Sequence, residues 1–226
     1  MLTLAIDTAS DMAGLALGEG DELLAEMTWR SHQNHSRQLL PTLEVLLQRC
    51  ERTKSDLEAL VVCVGPGSYA GMRVGVSTAK ALAFGLELPV AGIGRLAADA
   101  RPFVLASRGR VVALQAAGRA ELAWAAYERS DGGMREIEAP RLSRKDELLP
   151  LLQTGDVVCA DLKTLSAELT SDLRALDVDL VEAHASRVVS VLQLGSIRLA
   201  RGDIDNLEAL VPLYLRAPAI GPPKVL

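Results

Sequence analysis

The stretch ALVVCVGPGSYAGMRVGVSTAKALAFGL, residues 59 to 86, constrains the fold more than any other part of the chain. It starts as a short continuous apolar run, the pattern of a strand covered on both faces. A glycine-proline turn follows without a linker, and then a pattern that reads as a helix from Met72 to Leu86. A buried strand feeding a helix belongs to an α/β architecture. The helix is apolar nearly all round, because Arg73, Ser77 and Lys80 form only a narrow polar stripe among Met72, Val74, Val76, Ala79, Leu82, Ala83 and Leu86. Such a helix must be covered on two sides. Gly75, Ala79 and Ala83 are small enough to let another helix approach closely. One reading has the helix covered entirely by its own lobe; the other puts one face on the sheet and one on a second protein chain. A lobe of about a hundred residues has little material to spare for both faces, which favours the second.

The rest of the chain extends the α/β pattern. LTLAID and AGLALGEGDELLAEMTW read as strands with a hairpin at GEGDE. NHSRQLLPTLEVLLQRC carries Leu39, Leu40, Leu43, Leu46 and Leu47 at helical spacing, with Pro41 marking a start or a bend. LPVAGI is another strand. From Arg108 onward the order repeats: RGRVVALQAA, AELAWAAYERS and MREIEA as strands, RKDELLPLL as a helix opened by a Ser143–Asp146 capping box, GDVVCAD as a strand, LSAELTSDLRAL as a helix, VDLVEA as a strand, and SRVVSVLQLGSIRLARGD as a helix closed by Gly202. Two related lobes follow, 1–107 and 108–226. The tail PLYLRAPAIGPPKVL is Pro-rich and loosely held, with LVPLYLR able to pack on the core.

MLTLAIDTAS fits neither a secretory signal nor a membrane anchor, and no run approaches a bilayer span. Cys63 and Cys159 fall in runs that read as buried strands, within an odd set of three cysteines, which points to a reducing cytoplasm. A net charge of −5 with 3% aromatic residues sets the chain apart from proteins that grip nucleic acid unaided. An RNA substrate would need a partner to hold it.

Gly65, Gly67 and Gly71 sit between strand and helix, where backbone amides can face an anion. The Gly-Lys-Ser/Thr of a P-loop is absent, as is the dinucleotide fingerprint, and the competing reading is a turn that lets strand and helix pack closely. Asp7, Thr8 and Ser10 end the first strand; they read either as a carboxylate and hydroxyls near phosphate and metal or as a locally bonded turn.

GPGSYAGMRVG, LAIDTAS, NHSRQLLP and PLYLR together resemble the TsaB (YeaZ) family of bacterial proteins needed to make threonylcarbamoyladenosine in transfer RNA. The likeness spans nearly the whole chain. The family usually reads Gly-Pro-Gly-Ser-Phe-Thr-Gly-Leu-Arg-Ile-Gly, so Tyr69, Ala70, Met72 and Val74 are variants, and Ala70 lacks a hydroxyl that would hold an anion. The resemblance implies a two-lobed actin-like, sugar-kinase-like ATPase (ASKHA) fold, each lobe a mixed sheet with flanking helices. It implies a non-catalytic relative of the transferase TsaD, which carries the metal and moves the threonylcarbamoyl group onto the adenosine beside the anticodon. The expected partners are a TsaD-like transferase and a TsaE-like ATPase, with tRNA met only through the complex and a homodimer formed when alone. The matching interface would be the helices Ser36 to Cys50 and Met72 to Leu86, through Leu39, Leu43, Leu46, Met72, Gly75, Val76, Ala79, Leu82 and Ala83.

No catalytic residue and no cofactor are assigned beyond a weak or shared ATP- or ADP-magnesium site at Asp7, Thr8, Ser10, Gly65, Gly67 and Gly71. The rival is an autonomous ATP-dependent enzyme, or a metallopeptidase. Against the first, the only adjacent glycine pair of the second half is Gly132-Gly133, in a short turn, and Gln115, Ala116 and Ala117 stand where the family often has Asp-Ala-Arg. Against the second, His32 and His35 lack further metal ligands and His184 stands alone.

Overall fold

The chain builds the same five-stranded sheet twice. The structure, a computed structural model, describes residues 1–216 apart from 108, 119 and 132. In the first sheet β1 (Leu2–Asp7), β2 (Met12–Glu19) and β3 (Glu22–Arg30) form an antiparallel meander. β4 (Ala59–Gly65) then joins β1 in parallel and β5 (Val90–Gly94) joins β4, giving the order β3-β2-β1-β4-β5. The second sheet repeats this strand for strand: β6 (Val111–Ala116), β7 (Glu121–Ser130), β8 (Gly133–Arg144), β9 (Val157–Ala160) and β10 (Asp179–Glu182) lie in the order β8-β7-β6-β9-β10. Both sheets are therefore mixed, with helices on both faces.

Alternation along the strands decides how close each helix lies. Leu4, Ile6, Leu15, Leu17, Leu60 and Val62 face α1 (His35–Arg49) and α2 (Tyr69–Leu86). The opposite face carries Ala5, Ala16, Ala59 and Ala91. α3 (Arg95–Ala106) follows β5 but packs on the second sheet, where Leu96, Ala100 and Val104 meet Val111, Ala113, Ala125 and Tyr127. The other face of that sheet takes α4 (Lys145–Leu148) and α5 (Ala167–Ala175). α6 (Val188–Ala200) returns to the alanine face of the first sheet, so close that Gly195 has no room for a side chain against Val61. A division into 1–107 and 108–226 thus separates the sheets but cuts across the helices, since each half contributes its last helix to the other's sheet. Arg108 itself lies outside the described residues, as does Gly132 of the short turn.

Several local expectations are revised. α1 starts at His35 and carries Pro41 in its interior, and α2 starts at Tyr69, capped by the Ser68 hydroxyl, which accepts from the Gly71 amide at 3.2 Å. The expected Ser143–Asp146 box does not form. Ser143 is still in β8, where its hydroxyl accepts from the Trp124 indole at 3.1 Å, and the Arg144 amide donates to Glu147 at 2.9 Å instead. α3 has no counterpart among the helices that the sequence pattern predicts.

Beyond α6 the chain forms a strap along β5. The Asp205 amide donates to the Val90 carbonyl at 2.9 Å, and the Gly92 amide donates to the Asp205 carboxylate at 2.6 Å. Arg198 donates to the Gly92 carbonyl at 2.7 Å. Lys80 of α2 donates to the carbonyls of Glu208 and Leu210 at 3.0 and 3.1 Å, and the Leu213 amide donates to Val64 at 2.7 Å. LVPLYLR is therefore tied down; residues 217–226 of the Pro-rich tail lie outside the described residues. Among the described residues no helix is long and apolar enough to cross a membrane.

Candidate functional site

Asp7, Thr8, Ser10, Gly65, Gly67 and Gly71 come together where β1 and β4 end. The segment after β1 lies directly on the glycine turn: the Ser68 amide donates to the Ala9 carbonyl at 2.8 Å, and the Thr8 hydroxyl donates to the Gly71 carbonyl at 2.7 Å. A Cβ on Gly67 would overlap the Ala9 carbonyl oxygen, and one on Gly71 the Thr8 carbonyl oxygen. Glycine is required here by contact between two backbones. The Ser68 and Gly71 amides, which a phosphate cradle would aim at its ligand, are both engaged within the chain.

Asp7 is 2% exposed and both its oxygens are occupied. Oδ1 accepts from the Ala9 amide at 2.9 Å, and Oδ2 accepts from Arg187 Nη1 at 2.9 Å. Arg187, at the start of α6, also donates through Nε to Asp99 of α3 at 2.8 Å and through Nη1 to Ser10 at 3.2 Å. Arg95, one turn before Asp99, donates to its other oxygen at 3.4 Å. Two carboxylates and two guanidinium groups thus form a buried, neutral set. Burial pulls the Arg187 pKa down, but Asp99 and Asp7 facing it raise it above its ordinary value. Arg95 is lowered, by burial first and by the Arg187 charge second. The donor set suits an internal guanidinium: a magnesium-phosphate group at Asp7 would have to displace Arg187, so these residues do not fit one. Beside the set runs a cleft of about 270 Å³ between the sheets, lined by Asp11, Gln115, Asp161, Lys163 and His184 among others. The Gln115 side-chain oxygen is buried without a hydrogen-bond partner.

The histidines do not converge. His32 is exposed with φ 47°, whereas His35 is buried in the first turn of α1 beside Gly71. Among the described residues no group of three or more His, Cys, Asp or Glu side chains could hold a metal ion.

The expected partner seam is corrected by burial. Leu39, Leu43, Leu46, Met72, Gly75, Val76, Ala79 and Ala83 are all buried within the chain, and Leu82 is half-buried against the same core. Ala79 is 0% exposed. The small residues let α2 approach its own sheet: Gly75 lies against the Thr8 hydroxyl. The face turned outward is a different one, with Tyr69, Arg73, Ser77, Ala81 and Phe84 on α2 and Leu40 and Val45 on α1. Phe84 is 79% exposed.

Comparison with known proteins gives a family. A model described as "TsaD: tRNA N6-adenosine threonylcarbamoyltransferase" matches residues 22–189. The tRNA threonylcarbamoyladenosine biosynthesis protein TsaB of Bacillus subtilis is 34% identical over 224 residues, 96% of this chain and 94% of that protein. The solved structure of YeaZ from Pseudomonas aeruginosa superposes with a TM-score of 0.79 at 23% identity, covering 95% of this chain and 99% of that one. A ROK family protein from Streptococcus pneumoniae, 11% identical, shares the fold at a TM-score of 0.51 over 89% of this chain and 99% of its own. The chain belongs to the TsaD family of domains and, by its full-length relatives, to the TsaB proteins.

Proposed function

We propose that this protein is a non-catalytic partner subunit in the synthesis of tRNA threonylcarbamoyladenosine, docking on a TsaD-like transferase in the cytoplasm, with a TsaE-like ATPase joining the pair. The observation that carries the reading is the outer face of α1 and α2, where Leu40, Val45, Tyr69 and Phe84 stay open to solvent. A phenylalanine left almost bare on the outward face of a helix whose other face is buried is the kind of anchor that interfaces bury. The pairing of Asp7 with Arg187 supports the absence of chemistry of its own, because the carboxylate best placed to manage a metal-phosphate group already neutralises an arginine. With a net charge of −5, the chain meets tRNA through its partner.

Co-purification with the TsaD-like protein of the same cell tests the reading. Phe84→Ala removes an anchor and is expected to cost about 2 kcal/mol of binding, roughly thirtyfold in Kd, with the monomer's circular dichroism unchanged. Undiminished pairing in a Phe84→Arg, Leu40→Arg double variant would count against this face. A monomer that pairs only with itself through the same face would favour a homodimer. Tight binding and turnover of ATP-magnesium by the isolated chain, read by calorimetry, would favour the autonomous enzyme.

A further inference from the structure

The buried charges around Arg187 tie together parts of the molecule that otherwise belong to different sheets. Asp7 ends β1, and Arg187 precedes α6, which is packed on the first sheet. Asp99 and Arg95 lie on α3, which packs mainly on the second sheet and reaches the α6 cluster of the first sheet through Ala98. The contact between Arg187 and Asp99 therefore crosses from one lobe to the other on the wall of the interlobe cleft. We infer that Arg187 is a bolt that holds the two lobes at one fixed angle, so that the cleft does not open and close.

The geometry explains why an arginine serves. Its Nε reaches Asp99 at 2.8 Å while its Nη1 reaches Asp7 at 2.9 Å, so a single planar group spans both carboxylates. A lysine has one nitrogen and cannot keep both bonds in that fork. Asp7, Asp99, Arg95 and Arg187 are each less than one-tenth exposed. A hinge motion that drew α3 away from α6 would break the Arg187–Asp99 pair and leave two buried groups each short of a partner, which opposes the motion. With the set neutral, closure needs no ion from solution. Two-lobed proteins that close on a ligand place their moving surfaces at such a cleft; here that position is spent on a permanent cross-link.

Pulsed dipolar spectroscopy on the full chain tests this. Spin labels at Gln48→Cys on α1 and Ser171→Cys on α5, both exposed positions, report the interlobe distance in a Cys50→Ser background. The parent is expected to give a single narrow distance that ATP-magnesium leaves in place. Arg187→Lys and Asp99→Asn are expected to roughly double the width of the distribution while far-ultraviolet circular dichroism stays unchanged. A parent distribution already broader than the labels' own rotamers, or one as narrow in both variants as in the parent, overturns the bolt. Should a variant fail to fold, the remaining one and the parent's own width still decide.

Discussion

Gly71 sets how near α2 comes to the end of β1, because a methyl group there would strike the Thr8 carbonyl oxygen. Gly71→Ala is expected to destabilise the fold by about 1–3 kcal/mol, read as a lower urea midpoint with an unchanged slope. His35, packed against the same glycine, adds a pH dependence. Burial lowers its pKa from the ordinary 6.5, against the opposing pull of Asp11 and Asp7, and its Nδ1 has no hydrogen-bond partner. The folded state keeps the ring neutral at pH values where the unfolded chain takes up a proton. Its contribution is complete above about pH 6.5 and is lost as the pH falls below that value. Urea titrations at successive pH values should show this slope shrink in His35→Gln. The glycines and Asp7 were legible as a group because they lie in two short motifs. Arg187 was not, since it reaches Asp7 from 180 positions along the chain and nothing local marks a guanidinium as buried.

Elements were legible wherever one periodicity ruled. The strands of both sheets and the leucine stripe of α1 could be read directly. α3 escaped because Pro102 lies inside it and its polar Arg95 and Asp99 face inward, so its pattern resembles a loop more than an amphipathic helix. α2 was legible as a helix, but its small residues meet the chain's own sheet: small residues permit close approach without saying whether a sheet or another helix approaches. Lys80, part of the polar stripe on α2, serves the strap instead of solvent. Replacing it with methionine is expected to cost roughly 1 kcal/mol and to speed amide exchange at Leu213, with the two sheets protected as before. Exchange at Leu213 unaffected by Lys80→Met would mean that Asp205 and Arg198 alone hold the strap.

At the scale of the whole molecule the duplication of one sheet was visible as a repeated order of strands and helices, but the exchange of terminal helices was not. A sequence pattern shows that a helix has an apolar face without showing which sheet it covers. The exchange has a measurable result. A fragment of residues 1–107 lacks α6, so the face bearing Ala5, Ala16 and Val61 is left bare. That fragment is expected to bind a hydrophobic dye and to unfold without a cooperative transition, whereas the full chain unfolds cooperatively. Cooperative unfolding of 1–107 alone would show that the lobes are independent. The strap carries a further consequence for assembly. Asp205 and Arg198 occupy the hydrogen-bonding positions of Gly92 on the outermost strand of the first sheet, where a foreign strand would otherwise add. The sheet is thereby closed to growth on that border, which guards the protein against fibre-like stacking at high concentration and leaves recognition there to side chains.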